Sequence, residues 1–265
     1  MSRTIVINID SKYRTNFFNS SSSDFLVNLN YPLTRVTSLK LANVQIPNSW
    51  DNISVGYKNN YIILDGNKFS LPDGNYTNIT LTKLLRIRPP DTPHDRGDDF
   101  VFSTDYKIVI DKNNARTTIS RNDESNITIN LVDDDSDPRN SLGWLLGFRQ
   151  VSYSGSSEVK GLSTFNGTPF RYIYLMVDDF NINGAELIVG NLETSFISGN
   201  FLGIIRINSG NYGVINTDNY DTQTRRYSKP VNINKLHIKI MDPEGVVINL
   251  NQMETSFSLE FTILE

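Results

Sequence analysis

The sequence predicts an all-β fold built from about a dozen short strands, a β-sandwich or barrel. Three observations point there. Apolar residues recur with a period of two in short runs. Turn signals separate those runs every ten residues or so. Ile and Asn are both frequent, and they favour branched strands joined by Asn-rich turns. Only two stretches carry helical spacing, so an alternating strand-helix fold is not expected.

The elements follow in order. Ile5, Ile7 and Ile9 alternate with Val6, Asn8 and Asp10, giving a short strand or an extended arm. Lys12 to Ser23 is polar and Ser/Asn-rich apart from Tyr13, Phe17 and Phe18. It is either a linker offering two aromatic anchors, Phe17 and Phe18, to another molecule, or a loop folded back on its own domain. Phe25, Val27 and Leu29 form one face of the next strand. Val36 to Ile46 alternates between Pro32 and Pro47, with Val36, Ser38, Lys40, Ala42, Val44 and Ile46 expected on one face. Tyr61 to Leu64 and Lys68 to Leu71 flank Asp65-Gly66, a strong hairpin signal. Pro72-Asp73-Gly74 is a turn, and Thr80 to Arg88 a short helix ended by Pro89-Pro90. Pro89 to Asp99 reads as an exposed loop.

Strands resume at Phe100 to Ile110, Arg116 to Arg121 and Ile127 to Val132. Asp133 to Asn140 is an acidic turn, and Ser141 to Gly147 a second short helix with Leu142, Leu145 and Leu146 as its apolar side. Val151 to Thr168 is Gly/Ser-rich and expected as a long loop. Further strands are expected at Arg171 to Val177, Ala185 to Val189, Phe201 to Ile207, Gly210 to Ile215, Ile233 to Met241, Val246 to Leu250 and Ser256 to Ile263. Asp242-Pro243-Glu244-Gly245 supplies the hairpin turn before Val246. No composition break divides the chain, so the expected organisation is an N-terminal arm over 1–22 and one β domain over 23–265.

Composition excludes whole classes of function. The 265 residues contain no cysteine, which removes disulfides, thiolate metal sites and thiol catalysis. Two histidines, His94 and His237, cannot build an imidazole-rich centre. Lys and Arg number 25 against 29 Asp and Glu, so a strongly basic nucleic-acid-binding surface is not expected across the whole molecule. Hydrophobic residues at 38% suffice for a core. The alternating start is not that of a secretory signal, and without an 18-residue apolar run no membrane helix is expected. Six N-glycosylation triplets, at Asn19, Asn52, Asn75, Asn78, Asn126 and Asn166, are expected by chance in so Asn-rich a chain.

The phrase Arg3-Thr-Ile-Val-Ile-Asn-Ile-Asp-Ser-Lys-Tyr-Arg14 is more specific. So are Ser23-Asp-Phe-Leu-Val-Asn-Leu29, Thr37-Ser-Leu-Lys-Leu-Ala-Asn-Val-Gln-Ile-Pro-Asn48, Leu71-Pro-Asp-Gly-Asn-Tyr76 and Phe257-Ser-Leu-Glu-Phe261. Together they resemble the penton (capsid vertex) and minor capsid proteins of the nucleocytoplasmic large DNA viruses, the giant icosahedral viruses. The resemblance covers both ends of the chain. It implies a single jelly-roll β-sandwich, here with inserted hairpins, long loops and two short helices. It also implies a homopentamer at each fivefold vertex, abutting the major capsid protein and other minor capsid proteins, in a virion assembled in host cytoplasm. It carries no catalytic residue, cofactor or metal.

The remaining motifs read as follows. Asp133, Asp134, Asp135 and Asp137 lack the EF-hand spacing and are expected as a solvated turn. Asp178-Asp179 would face opposite ways on a strand, and Asp98-Asp99 is expected at the surface. His94 is expected in a loop, and His237 on the face of its strand opposite Leu236, Ile238 and Ile240, solvent-facing or interfacial. No Gly-x-Ser-x-Gly, GxGxxG or Walker A sequence occurs, so no enzyme is expected. Arg225, Arg226 and Lys229 beside Tyr220 and Tyr227 form the densest basic cluster. Stacking and charge there suit nucleic acid or a glycan, but the acidic total favours a protein interface anchored by Arg225, Arg226 and Tyr227. Trp50, Asn52 and Tyr57 are the residues on which a carbohydrate-binding module would rest.

Overall fold

The computed structural model describes residues 1–77, 80–81, 105–133, 136–167, 170–181, 200–217, 221–222 and 224–265. The fold is all-β and jelly-roll-like, as expected. All of its strand pairs are antiparallel among the described residues. Helix among the described residues is limited to Thr80 and Leu81, a four-residue α1 and three single 3-10 turns. The chain forms two compact units, one from Met1–Trp50 with Phe170–Glu265 and the other from Asp51–Pro169. No composition shift marks that division.

The first unit holds an eight-stranded sheet. Its strands are β1 (Ser2–Asp10), β2 (Asp24–Pro47), β10 (Tyr172–Asp178), β11 (Phe201–Arg206), β12 (Val214–Thr217), β13 (Asp221–Thr222), β14 (Thr224–Met241) and β15 (Ser256–Leu264). The order is β1-β15-β2-β14-β10-β11-β13, with β12 against β2. The segment expected as a strand or an arm is therefore a strand. β1 pairs with β15 from Ser2 opposite Leu264 to Asp10 opposite Ser256. Ile9 is buried, and Ile5 and Ile7 pack on the same core. The main-chain N–H of Glu265 donates to the carbonyl of Met1 at 3.0 Å.

Alternation places the core of β15 as expected, with Phe257, Leu259, Phe261 and Ile263 inside. In β2 it does not. Val36, Leu39, Leu41, Val44 and Ile46 are all buried, although they do not share one parity. The register with β15 explains this. It skips once between Asn43 and Leu41 and once between Ser38 and Val36. Each skip is a β-bulge, which reverses the inside-outside phase beyond it. A third irregularity sits at Arg35, whose φ of 58° is left-handed. Its N–H donates to Asn232 Oδ1 at 3.1 Å, where the β14 register also shifts.

The second unit carries two small sheets. One contains β3 (Tyr61–Leu64), β4 (Asn67–Ser70), β7 (Ile127–Asn130) and β8 (Ser152–Ser156), in the order β4-β3-β7-β8. The other contains β5 (Tyr106–Ile110), β6 (Arg116–Arg121) and β9 (Glu158–Thr164), in chain order. Ile62, Leu64, Ile119, Ile127, Ile129, Leu142 and Phe148 lie in its core. The Asp65-Gly66 turn forms as expected, with positive φ at both residues. Asp65 also accepts from the Tyr106 hydroxyl at 2.7 Å and from Thr128 N–H at 2.7 Å. Burial raises the Asp65 pKa, but these bonds and Arg121 outweigh it and the net direction is down. The Tyr106 hydroxyl is pushed up to about 12, by burial first and then by Asp65.

Helix α1 spans Leu142–Leu145, with the Ser141 hydroxyl capping Trp144 N–H. The expected loop from Val151 instead contains β8 and β9. Serine and glycine hide their pattern, in which only Val159 and Gly161 point inward on β9. Val246 to Leu250 was expected as a strand and shows only a bridge, Val247 to Met241. The helix over Thr80 to Arg88 beyond Leu81, the Pro89 to Asp99 loop, His94, Asp98-Asp99, the strand at Ala185 to Val189, Asn78, Asp134, Asp135 and Tyr220 lie outside the described residues.

Candidate functional site

The basic cluster divides between inside and outside. Neighbouring residues on β14 face opposite ways, so Arg226 is exposed while Arg225 and Tyr227 point into the first unit. Arg225 is 6% exposed, and its guanidinium meets the Asp179 carboxylate at 2.7 Å. The Tyr227 hydroxyl donates to the same Asp179 oxygen at 2.5 Å. A second Arg225 nitrogen donates to the carbonyl of Asn200 at 3.1 Å. Burial alone would raise the Asp179 pKa. The bonds from Tyr227 and Asn181 N–H and the Arg225 charge outweigh it, so the net direction is down. Tyr227 is pushed up, by burial and then by Asp179. The expectation that Arg225 and Tyr227 serve as exposed interface anchors is corrected. They form a buried, charge-balanced tie, and Arg226 with Lys229 remains at the surface.

The other expected anchors lie after β1. Ser11 N–H donates to Thr255 O, and Thr255 N–H donates to Ser11 Oγ, both at 2.8 Å, stitching the loop to the start of β15. Arg14 donates to Glu254 Oε2 at 2.7 Å and to the Ser11 carbonyl at 2.8 Å. The Ser11 hydroxyl also donates to Glu254. The Arg14 guanidinium lies 4.0 Å from the centre of the Phe17 ring. Phe17 and Phe18 meet edge to face at 5.4 Å in a 3-10 turn over Phe17–Asn19. The loop thus folds back on its own domain and still presents aromatic rings, for Phe18 is 95% exposed and Phe17 39%. Beside them lies a cavity of about 330 Å³, lined also by Asn249, Gln252 and Glu254.

Trp50, Asn52 and Tyr57 do not form a sugar-binding patch. Trp50 is 4% exposed and belongs to the core of the first unit. Asn52 is buried in the second unit. Its Nδ2 donates to Gly167 O at 2.7 Å and to Tyr76 O at 2.8 Å, and its Oδ1 accepts from Tyr76 N–H. It is a clasp joining the two ends of that unit.

His237 lies on the outer side of β14, with Nε2 2.6 Å from Asp24 Oδ1 and Lys239 3.8 Å from the other Asp24 oxygen. None of the three lines the cavity. Asp133 accepts from Tyr61 and Lys68, and Asp137 from Arg139, so these carboxylates serve as local ties. Asp178 and Asp179 do diverge. Asp178 accepts from Phe180 N–H, while Asp179 faces Arg225. Among the described residues no group of three or more His, Asp or Glu is placed to hold a metal ion.

Sequence reasoning missed three residues. Asp179 had no signal beyond its neighbour Asp178. Glu254 partners Arg14 across 240 positions. Asp242 is fully buried, with Oδ1 accepting from Glu244 and Val246 N–H and Oδ2 lacking a partner among the described residues. Burial pushes its carboxyl up to about 6, against those bonds.

Fold and site together define an antiparallel, all-β, jelly-roll-like protein with the exposed aromatic Phe18 beside a small polar-lined cavity. The chain is similar to the crystal structure of the selenomethionine-labelled mavirus penton protein, with 12% identity, a TM-score of 0.44 and coverage of 98% of this chain and 99% of that one. No protein-family model and no curated protein matches the sequence.

Proposed function

We propose that this chain is a non-enzymatic structural protein of a viral capsid, a penton that forms a homopentamer at the fivefold vertices and contacts the major capsid protein. One observation carries the reading. Four of the five phrases that resemble penton and minor capsid proteins lie far apart in sequence, yet they occupy adjacent strands; the fifth, Leu71 to Tyr76, lies in the second unit. Arg3 to Asp10 is in β1, Phe257 to Phe261 in β15, and Ser23 to Leu29 with Thr37 to Pro47 largely in β2, and the sheet order is β1-β15-β2. Those four phrases therefore describe one contiguous slab of sheet and not scattered strands. A cyclic ring needs two unlike patches on each protomer. Arg226 and Lys229 offer a basic one, and the Phe17-Phe18 turn an aromatic one.

The test is a reconstruction of the intact particle with this chain located in it. Density on the fivefold axes supports the reading. Placement away from every fivefold axis refutes the penton role and leaves a minor capsid role. Absence from purified particles refutes both.

A further inference from the structure

We propose that the cavity between the Phe17-Phe18 turn and the Asn249 to Glu254 loop binds one pyranose ring of an uncharged glycan. The proposal is independent of the vertex role. Its volume, about 330 Å³, lies at the small end of the range for ligand pockets and suits one small ring.

Charge selects the class of ligand. The cavity contains one cation and one anion, Arg14 and Glu254, and they neutralise each other at 2.7 Å. An anionic ligand would meet Glu254, and a cationic ligand would meet Arg14. A neutral polar ligand meets neither penalty.

The remaining wall matches a polyol. The Gln252 side chain is exposed and makes no hydrogen bond among the described residues, so its carbonyl and amide are both available. Asn249 uses only Oδ1, on Asn251 N–H at 3.0 Å, which leaves its Nδ2 donors open. Adjacent hydroxyls of a sugar both donate and accept, and carboxamides answer both demands. The Phe18 ring, 95% exposed, supplies an apolar face for the C–H side of the ring. It is braced by Phe17, which Arg14 covers in turn. This is the combination of exposed aromatic and amides that Trp50, Asn52 and Tyr57 fail to provide.

The experiment is saturation-transfer difference NMR on the full chain with the methyl glycosides of glucose, galactose and mannose. Transfer to ring protons of at least one is expected, with dissociation constants in the range of about 1–10 mM typical of weak single-ring contacts. Phe18→Ala should weaken it about fivefold through lost stacking, and Gln252→Ala about fivefold through lost hydrogen bonds. Both residues are exposed, so circular dichroism should show both variants folded. Arg226→Ala should leave binding unchanged. Absence of transfer from all three glycosides overturns the proposal. So does transfer undiminished in both variants, or binding of N-acetylneuraminate in preference to the neutral sugars.

Discussion

Asparagine at position 242 is expected to stabilise the protein at neutral pH and to flatten its pH dependence. Asp242 is 0% exposed, and only one of its oxygens is hydrogen-bonded among the described residues. Its carboxyl is pushed up from 3.8 to about 6. The folded state therefore binds this proton more tightly than the unfolded chain. The associated stability is fully present below the ordinary carboxylate pKa and is lost as pH rises through about 6. Each pH unit between the two values corresponds to about 1.4 kcal/mol. The ceiling on the loss is thus about 3 kcal/mol, most of it between about pH 4 and pH 6.5.

An amide keeps the acceptor for Glu244 and Val246 N–H and removes the charge. It also places an unpaired N–H donor where Oδ2 sits, at a cost of about 1 kcal/mol or more. Asp242→Asn should therefore gain about 1–2 kcal/mol at pH 7.5 and lose its advantage near pH 4. Urea midpoints measured across that range would show it. Carboxyls with lowered pKa, such as Asp65 and Asp179, affect both proteins alike, so the difference between the two curves isolates position 242. Parallel curves would refute the reasoning, as would a variant less stable at pH 7.5.

Arg225→Glu should cost about 3–5 kcal/mol or prevent folding, because it leaves Asp179 buried against a like charge. Arg226→Glu should stay within about 0.5 kcal/mol, and thermal unfolding of the two variants would separate them. Deleting Ser2 to Ser22 removes β1 and bares the outer edge of β15, so the truncated protein is expected to be insoluble or unfolded. A cooperative unfolding transition in that protein would contradict this. Gly147→Ala should destabilise by about 2–4 kcal/mol, measured by urea unfolding. Gly147 has a φ of 99°, and an added Cβ would lie 2.2 Å from the Ser163 carbonyl oxygen.

Legibility in the sequence follows the regularity of the local geometry. β15 and the Asp65-Gly66 hairpin were legible because nothing interrupts their period or turn chemistry. β2 was legible as a strand but not in its facing, since Val36 and Leu39 are both buried across a bulge set by pairing with residues over 200 positions away. β8 and β9 were hidden by serine and glycine, whose composition matches a loop. At the site, Phe17 and Phe18 stood out because aromatics in a polar run are visible locally. Arg225 and Tyr227 stood out for the wrong purpose. Their partner Asp179 is supplied by tertiary pairing, and charge density along the chain does not reveal which charges are buried.

The Asn52 clasp bears on how the chain is assembled as a modular object. The second unit is an insertion of about 120 residues between two segments that build the first. The Asn52 side-chain amide ties one end to the other, at the Gly167 carbonyl. To the host unit, so long an excursion is equivalent to a short loop, since the closure entropy is met within the insert as it folds. The host therefore places little demand on what lies between the pinned ends. The insert can lengthen, shorten or be exchanged while the sheet that carries β1, β15 and β2 stays the same, and a few-residue linker in its place should leave that sheet able to form.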